Sequence, residues 1–477
     1  MRRRRKQNTN AATGRENATM DIVIKNGTLI TPDGPFKADI GVEGERIAAI
    51  GEGLTAPNVL DAAGKYVLSG AIDVHVHMQM PVGEVVSSDD FYTGTVAAAC
   101  GGTTTIIDFV EPKGLQSLMD ALHQRRAEAD GRVAVDYGLH MTLNSDDPLR
   151  LAEIPAVMDA GCTTFKLYMA YEGLRLSDGA MLRALAALQK HRGLPIVHAE
   201  NHDAIQYLTE KFLREGKTAP RYHPLTRPDF MEGEATARVL ALARVVGLPM
   251  YIVHVSCAEA LGAVRAARAK GQPAYGETCP QYLLLTRREY ERPGFEGAKF
   301  VMSPPLREEA DGARLWDALA SGDLQVVATD HCPFFYEGQK DKGRAAFNQI
   351  PGGAPGVETR LPLLYTFGVR AERLTLAQWV RVCCEEPARL FGLAPRKGRI
   401  AEGADADLVI FNPNRRVVLH HTTLHQNVDY TPYEGFELLG YPETTLLRGQ
   451  VIVRDGEFVG RAGQGRFIQR HVSSAWG

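Results

Sequence analysis

The middle of the chain alternates two patterns of apolar residues. Short continuous apolar runs are separated by stretches in which apolar positions recur every three or four residues. The runs predict β-strands and the stretches predict helices, for example over 179–191 and 259–271. The eight predicted strands are 66–77, 103–110, 133–143, 163–171, 195–200, 250–256, 273–279 and 324–330. Regular alternation of strand and helix predicts an α/β fold, a parallel (β/α)8 or TIM barrel.

Both ends of the chain differ from the middle, because apolar and polar residues alternate there one by one. Turn pairs such as Asn26-Gly27 and Asp455-Gly456 separate these runs, as in β-hairpins. Neither end is long enough for a core of its own, so we expect both to share one small β-sandwich. The predicted domains are a β-sandwich of 20–67 with 396–460, a metal-dependent barrel of 68–395 and a C-terminal tail of 461–477.

The first nineteen residues, MRRRRKQNTNAATGRENAT, are basic and polar. They lack the apolar core of a secretory signal. Met20 opens the first strand-like run directly. We therefore interpret residues 1–19 as a disordered basic tail or a mis-assigned start.

Composition narrows the partners of the protein. Hydrophobic residues make up 44% of the 477, charged residues 23%, and the net charge is −3. No basic field predicts nucleic-acid binding, and the apolar runs are too short to cross a membrane. The seven cysteines form no C-x-x-C pair, which favours reduced thiols in a cytoplasmic protein. Cys332, two residues after Asp330, is considered as an extra metal ligand.

Residue types that bind metals stand at the downstream ends of several predicted strands. A parallel barrel gathers those ends at one rim, where barrel enzymes have their active sites. Taken singly, each histidine fits a hydrogen-bonded core residue and the aspartate fits a helix N-cap. Taken together they predict one metal centre. The predicted ligands are His75, His77, Lys166, His198, His254 and Asp330.

Spacing on the strands refines this set. His75 and His77 are two residues apart, so their side chains lie on the same face. Asp73 shares that face, and we expect it to orient a histidine. His331 points to the opposite face from Asp330 and is not expected to be a ligand.

Lys166 distinguishes the kinds of metal site. A buried ammonium repels cations, so an unmodified lysine cannot be a ligand. Burial and nearby cations lower its pKa, and the free amine can react with carbon dioxide to give a carbamate. That N6-carboxylysine would bridge two divalent cations; a lysine that turns outward or pairs with an acid is the alternative. Two cations bound by Asp330, the carbamate and a hydroxide keep a small positive charge, which suits stabilisation of an oxyanion.

Longer motifs then point to a family. These are GAIDVHVH, CGGTTTIIDF, FKLYMAY, ETCPQYL, FVMSPPLR, ATDHCPF, PGVETR and VDYTPYEGFELLG. The chain resembles, from about residue 20 to 470, the cyclic amidases of the amidohydrolase superfamily, specifically the dihydropyrimidinase and D-hydantoinase group. The resemblance implies a barrel with a β-sandwich, two zinc or other divalent ions, a carboxylated Lys166 and a homotetramer, with 427–440 as its interface tail.

The resemblance also implies roles for residues around the metals. Tyr171 would donate its hydroxyl to the substrate oxyanion, and Ser303 and Gly352 would hold the ring through backbone atoms. Asp330 would act as general base and acid while a hydroxide held between the metals opens a dihydropyrimidine or 5-substituted hydantoin to an N-carbamoyl amino acid. The family motif Pro-Asn-Gly reads Pro351-Gly352-Gly353 here, which affects substrate range rather than chemistry.

Several alternatives remain open at this level. A dihydroorotase would carry a basic residue just after the second histidine, where this chain has Met78 to Met80. An allantoinase is closer, and a mononuclear deaminase would not need Lys166. A non-catalytic scaffold of the collapsin-response mediator type would have lost ligands, whereas every position is filled here. Several residues near the predicted rim have two open interpretations: an apolar wall for a substrate side group, or ordinary loop packing. They are Met78, Met80, Pro81, Phe91, Tyr92 and Tyr168.

Overall fold

The computed structural model describes residues 20–114 and 116–476, so the predicted basic tail lies outside the described residues. The strands of the first half are β1 Ile22–Lys25, β2 Thr28–Thr31, β3 Gly34–Lys37, β4 Asp39–Glu43, β5 Arg46–Gly51, β6 Asn58–Asp61, β7 Tyr66–Ser69, β8 Ala71–Val76, β9 Pro81–Val82, β10 Val85–Val86, β11 Thr103–Val110 and β12 Asp136–Thr142. Those of the second half are β13 Thr164–Tyr168, β14 Leu194–His198, β15 Met250–Ile252, β16 Ala274–Thr278, β17 Val326–Val327, β18 Leu408–Val418, β19 Glu437–Leu447, β20 Gln450–Arg454 and β21 Glu457–Phe458.

Helices fill the connections between the middle strands. They are α1 Phe91–Cys100, α2 Leu118–Ala129, α3 Pro148–Leu151, α4 Ile154–Asp159, α5 Asp178–His191, α6 His202–Arg214, α7 Asp229–Val246, α8 Ala258–Ala269, α9 Pro280–Leu284, α10 Glu309–Ser321, α11 Arg360–Leu364, α12 Leu376–Val380 and α13 Glu386–Leu390. Among the described residues, no helix combines the length and the apolar character needed to cross a bilayer.

The middle strands form the predicted barrel. Parallel pairing runs without a break in the order β8, β11, β12, β13, β14, β15, β16, β17. An isolated parallel bridge between Val76 and His331 connects the first strand to the chain just after the last. The predicted fold class is confirmed. Each strand therefore delivers the residues at its C-terminal end to one shared rim.

The first predicted strand is in fact two, so the prediction of one strand over 66–77 is wrong. β7 ends at Ser69 in a terminal sheet, and β8 begins at Ala71 in the barrel. Gly70 makes the switch possible, because a Cβ atom there would lie 2.1 Å from Thr104 Oγ1. Its N–H donates to the carbonyl oxygen of Asp407 at 2.8 Å. The chain therefore passes from the terminal sheet into the barrel at this glycine.

The two ends of the chain build two further sheets. The four-stranded sheet has the order β5-β4-β1-β6, and the seven-stranded sheet has the order β21-β20-β19-β18-β7-β2-β3. Apolar residues of both sheets form one buried cluster that includes Ile24, Ile40, Leu29, Val67 and Leu408. The central pairing of the larger sheet joins β7 to β18, that is, the beginning of the chain to its end. The domain boundaries themselves stay a prediction.

The barrel interior is filled and closed at the end away from the ligand rim. Ile72, Val74 and Ile107 pack there in one buried cluster with Phe391 and Trp476. The indole N–H of Trp476 donates to the carbonyl oxygen of Leu390 at 2.9 Å. Since this end is packed, chemistry is confined to the opposite rim.

Candidate metal centre and active site

The six predicted ligands come together at the C-terminal rim. They line one cavity of about 500 Å³. Asp330 Oδ1 lies 3.2 Å from His75 Nε2 and 3.0 Å from His77 Nε2. His198 Nδ1 lies 2.9 Å from His254 Nε2, and the rings of His75 and His254 are 5.5 Å apart. Residues separated by up to 255 positions in sequence thus form one cluster of nitrogen and oxygen atoms.

Local backbone geometry turns several of these side chains into the cavity. His254, Asp330 and Tyr171 have φ angles of 39°, 53° and 73°. Residues other than glycine rarely adopt positive φ, and such conformations concentrate at functional sites. His254 and Asp330 follow β15 and β17, so the chain leaves the strand direction at the point where the ligand is presented.

Two glutamates that the sequence interpretation missed orient the histidines. Glu277 Oε1 lies 2.5 Å from His75 Nδ1, and Glu200 Oε2 lies 2.8 Å from His198 Nε2. Arg227 holds Glu200 in turn at 2.5 Å, and lowers the pKa of this carboxyl to about 2 against the effect of burial. The opposite nitrogen of each imidazole is thereby directed at the cluster, as carboxylates behind metal-binding histidines do.

Lys166 is buried and lacks a countercharge. Its Nζ lies 5.0 Å from the ring centre of Phe109 and 5.1 Å from that of Tyr168. No carboxylate of the described residues forms an ion pair with it. Burial lowers its pKa to about 8, although Asp330 and Glu277 oppose the shift. A neutral amine is therefore accessible near physiological pH, which is the form that reacts with carbon dioxide.

The donor set fits divalent metal ions. Burial lowers the pKa of His198 and of His254, which keeps both imidazoles neutral. Burial raises the pKa of Asp330, but His75, His77 and His254 outweigh it and hold that pKa well below its usual range. Nδ1 of His77 and Nδ1 of His254 are buried without a hydrogen-bond partner among the described residues. Neutral imidazoles around an ionised carboxylate are the ligands that zinc prefers.

The expectations for two residues near the ligands, His331 and Asp73, have different outcomes. His331, expected not to be a ligand, contacts Asp89 Oδ2 through Nε2 at 3.0 Å and accepts the N–H of Gly356 through Nδ1 at 3.1 Å. Asp73, expected to orient a histidine ring, instead accepts the hydroxyl of Thr329 at 2.7 Å. The expectation for Asp73 is wrong, because its carboxylate joins β8 to the end of β17 while Glu277 orients the ring.

The residues expected to contact substrate line the same cavity. Tyr171, Ser303 and Gly352 face it, as does Cys332. Burial raises the pKa of Tyr171 to about 12, although Arg227 and the hydrogen bond with Ser303 oppose the shift. Its hydroxyl is therefore protonated at neutral pH and can donate a hydrogen bond.

Comparison with known proteins decides the family. The model of the amidohydrolase family matches residues 66–452, and that of the urease alpha-subunit N-terminal domain matches residues 2–74. A D-hydantoinase from Ralstonia pickettii is 47% identical over 94% of this chain and 99% of its own length.

The chain belongs to the amidohydrolase family.

Solved structures place it within that family. A D-hydantoinase from a Bacillus species superposes with a TM-score of 0.94 at 46% identity, covering 95% of this chain and 100% of that one. A dihydropyrimidinase from Brevibacillus agri also gives 0.94, at 44% identity and the same coverage. This confirms the predicted dihydropyrimidinase and D-hydantoinase group, and with it the predicted enzyme class.

This amidohydrolase has a further buried lysine that the sequence interpretation missed. Lys340 Nζ donates to the carbonyl oxygens of Val301 at 3.0 Å and Pro351 at 2.9 Å. The N–H of Gly353 donates to Val301 as well, at 3.0 Å. Lys340 thus fixes the segments that carry Ser303 and Gly352. Nothing in its polar surroundings, EGQKDKG, signals burial.

Proposed function

We propose that the protein is a zinc-dependent cyclic amidase that hydrolyses dihydropyrimidines and 5-substituted hydantoins to N-carbamoyl amino acids. The observation that carries this proposal is the meeting of all six ligand residues in one cavity with Tyr171 and Ser303. Relatives named D-hydantoinase and dihydropyrimidinase, matched over nearly their whole length, support the substrate class.

We assign the metal ions to the predicted ligands. His75, His77, His198, His254, Asp330 and a carboxylated Lys166 would hold two zinc ions. Bound there, the ions would lower the pKa of a water molecule and polarise the ring carbonyl. The pKa of Lys166, about 8, supports carboxylation, because the amine loses its proton at little cost.

The residues of the chain then act on the substrate. Tyr171 donates its hydroxyl proton in a hydrogen bond to the oxygen that becomes negatively charged as water adds to the ring carbonyl. One such donor contributes about 3–4 kcal/mol to the transition state. Its pKa of about 12 keeps the proton in place at neutral pH.

Asp330 moves the proton that the reaction requires. Its carboxylate accepts a proton from the attacking water and passes it to the ring nitrogen as the carbon–nitrogen bond breaks. A carbon–oxygen bond forms in exchange, and the product carries a carboxylate and a carbamoyl group. Ser303 and Gly352 hold the ring through backbone atoms, in segments fixed by Lys340.

The compartment and the assembly of the protein also belong to the proposal. The cytoplasm is the proposed compartment, since all seven cysteines are free and buried. A homotetramer is the proposed assembly, with residues 427–440 at an interface.

The test is hydrolysis by protein purified with zinc and bicarbonate. We expect ring opening of at least one of dihydrouracil, hydantoin, 5-phenylhydantoin and allantoin, loss of activity with a chelator, and recovery with zinc. Asp330→Asn should lower kcat by at least about 10³-fold. Asp317→Asn, an exposed aspartate of α10, is the matched control and should leave kcat unchanged. Full turnover by metal-loaded Asp330→Asn would contradict the mechanism.

A further inference from the structure

One carboxylate in the cavity has no place in the proposed reaction. Glu111 is the first residue after β11 and lines the cavity with the ligands. Asp330 and Glu111 are the acidic residues among the described residues of its lining. Asp330 is assigned to the metals, which leaves Glu111 without a role.

Glu111 also has no cationic partner. Its Oε1 accepts a hydrogen bond from the hydroxyl of Tyr168 at 3.2 Å. No arginine, lysine or histidine of the described residues lies within ion-pair distance of its carboxylate. Nearby Asp108 differs, since Arg125 Nη2 lies 2.5 Å from its Oδ1. Burial raises the pKa of Glu111, although His77 and Lys166 oppose the shift. The half-buried carboxylate faces the cavity, where it is open to a cationic group of a ligand.

The topology places Glu111 away from the ring contacts. Ser303 and Gly352 follow β16 and β17, whereas Glu111 follows β11, on the other side of β8 in the barrel order. Met80, Pro81 and Val82 follow β8, the neighbour of β11 in the barrel order, and also line the cavity. With the ring held by Ser303 and Gly352, as proposed above, Glu111 and the apolar residues after β8 are the part of the lining that we assign to its side group.

We propose that Glu111 selects 5-substituted hydantoins whose side group ends in a cationic amine or guanidinium. The apolar wall packs on the aliphatic stem, and the Glu111 carboxylate accepts a charge-assisted hydrogen bond from the cationic end. This inference rests on the proposed function, because it names the preferred member of that substrate class.

The experiment compares two substrates of equal length, 5-(4-aminobutyl)hydantoin and 5-pentylhydantoin. The protein should give the higher kcat/KM with the amine. Glu111→Gln, which keeps the shape and removes the charge, should lower kcat/KM for the amine by about 10- to 100-fold, the range for a hydrogen bond to a charged group. The value for the pentyl substrate should change by less than about 3-fold, the size expected of a neutral wall contact.

Controls separate this contact from a general field and from the metal centre. Glu84→Gln removes a negative charge from an exposed residue of the β9–β10 hairpin and should leave the substrate ratio unchanged. Equal losses for both substrates, with fewer metal ions bound by Glu111→Gln, would place Glu111 in the metal centre and overturn the inference. Turnover of the pentyl substrate without preference for the amine would overturn the inference alone. No turnover of any hydantoin would overturn the proposed function as well.

Discussion

Two buried lysines, Lys397 and Lys166, show opposite solutions to the same problem. Lys397 lies at the junction of the barrel with the terminal sheets, and its Nζ is 2.8 Å from Asp136 and 2.5 Å from Asp407. Burial alone would lower its pKa, but the carboxylates of Asp407, Asp136 and Asp405 raise it well above the ordinary value. Lys166 is equally buried without such partners, and its pKa falls to about 8.

The difference separates a structural cluster from the proposed metal centre. Asp136, Asp405 and Asp407 lie close enough together to suggest a metal site. Lys397 contacts all three, and Arg448 and Arg396 add ion pairs to Asp136 and Asp405. The chain therefore supplies the cations of the junction itself. At the rim it supplies imidazoles, an ionised aspartate and an amine, so under the proposed function the cations come from outside.

The largest expected effect is on catalysis at the rim. Lys166→Met should lower kcat for a hydantoin by at least about 10³-fold and reduce the metal bound per chain, because the bridging carbamate cannot form. The thermal stability of the metal-free protein should stay equal or rise, because a buried amine without an ion pair is replaced by an apolar side chain. Metal analysis, kinetics and calorimetry measure the three quantities. Retained activity with bound metals in Lys166→Met would contradict the proposed role of Lys166 in the metal centre.

The junction should respond in the reverse sense. Lys397→Met leaves three buried carboxylates without their shared cation, which should cost about 3–5 kcal/mol and lower the apparent Tm. Lys217→Met, at an exposed ion pair with Glu215, is the control and should leave the Tm unchanged. The metal content of folded Lys397→Met should match that of the parent protein. A loss of metal with an unchanged Tm would show that the junction, too, serves the metal centre.

A smaller effect is expected behind the ligands. Glu277→Gln removes the carboxylate that lies 2.5 Å from His75 Nδ1 and should weaken metal affinity by about 10- to 100-fold. Competition with a chelator measures this affinity. Glu259→Gln, exposed in the first turn of α8, is a matched control. Unchanged affinity in Glu277→Gln would mean that the ring of His75 is oriented by packing.

Lys340 provides a third buried lysine to compare. Burial lowers its pKa to about 7, yet its role is to hold two carbonyl oxygens. Lys340→Met leaves those oxygens without their donor, and each loss of this kind costs about 1–3 kcal/mol. We expect KM to rise by about 10-fold, with kcat and metal content nearly unchanged. A fall in kcat at constant KM would contradict this role.

The smallest effect concerns pH. The hydrogen bond of His425 Nδ1 to Glu358, at 2.9 Å, raises the pKa of this histidine above 6.5. Its contribution to stability is therefore complete below the unfolded pKa and is lost as pH rises through the folded pKa. The loss of unfolding free energy in His425→Gln should be larger at about pH 5.5 than at about pH 8.5, with a difference of at most about 1 kcal/mol. A constant deficit would mean that the ring acts through packing.

The sequence predicted which residues lie at the ends of the barrel strands, but not which side chains contact them from other strands. The meeting of the candidate ligands was predictable, because a strand ending in histidine or aspartate has a fixed place on the rim of a parallel barrel. Glu200 had a local signal, since it stands two residues after His198, on the same face. Glu277 had none, because its partner His75 is 202 residues away and two strands apart across β17.

Asp73 and Gly70 show the other limit. The alternation of GAIDVHVH places Asp73 beside the histidines, but the tertiary contact with Thr329 takes its carboxylate. Likewise the apolar run over 66–77 gives no sign that the chain changes sheets at Gly70. Periodicity reports which face a residue occupies, whereas the partner on that face depends on the closure of the whole barrel.

The pairing of β7 with β18 has a consequence for biosynthesis. The seven-stranded sheet pairs β7 with β2 early in the chain, but the other edge of β7 has no partner until residues 408–411, about 340 residues later, have left the ribosome. At typical rates of translation, this interval lasts roughly 20–70 s. That edge of β7 stays unpaired throughout this interval, so we expect the segment to be open to chaperones.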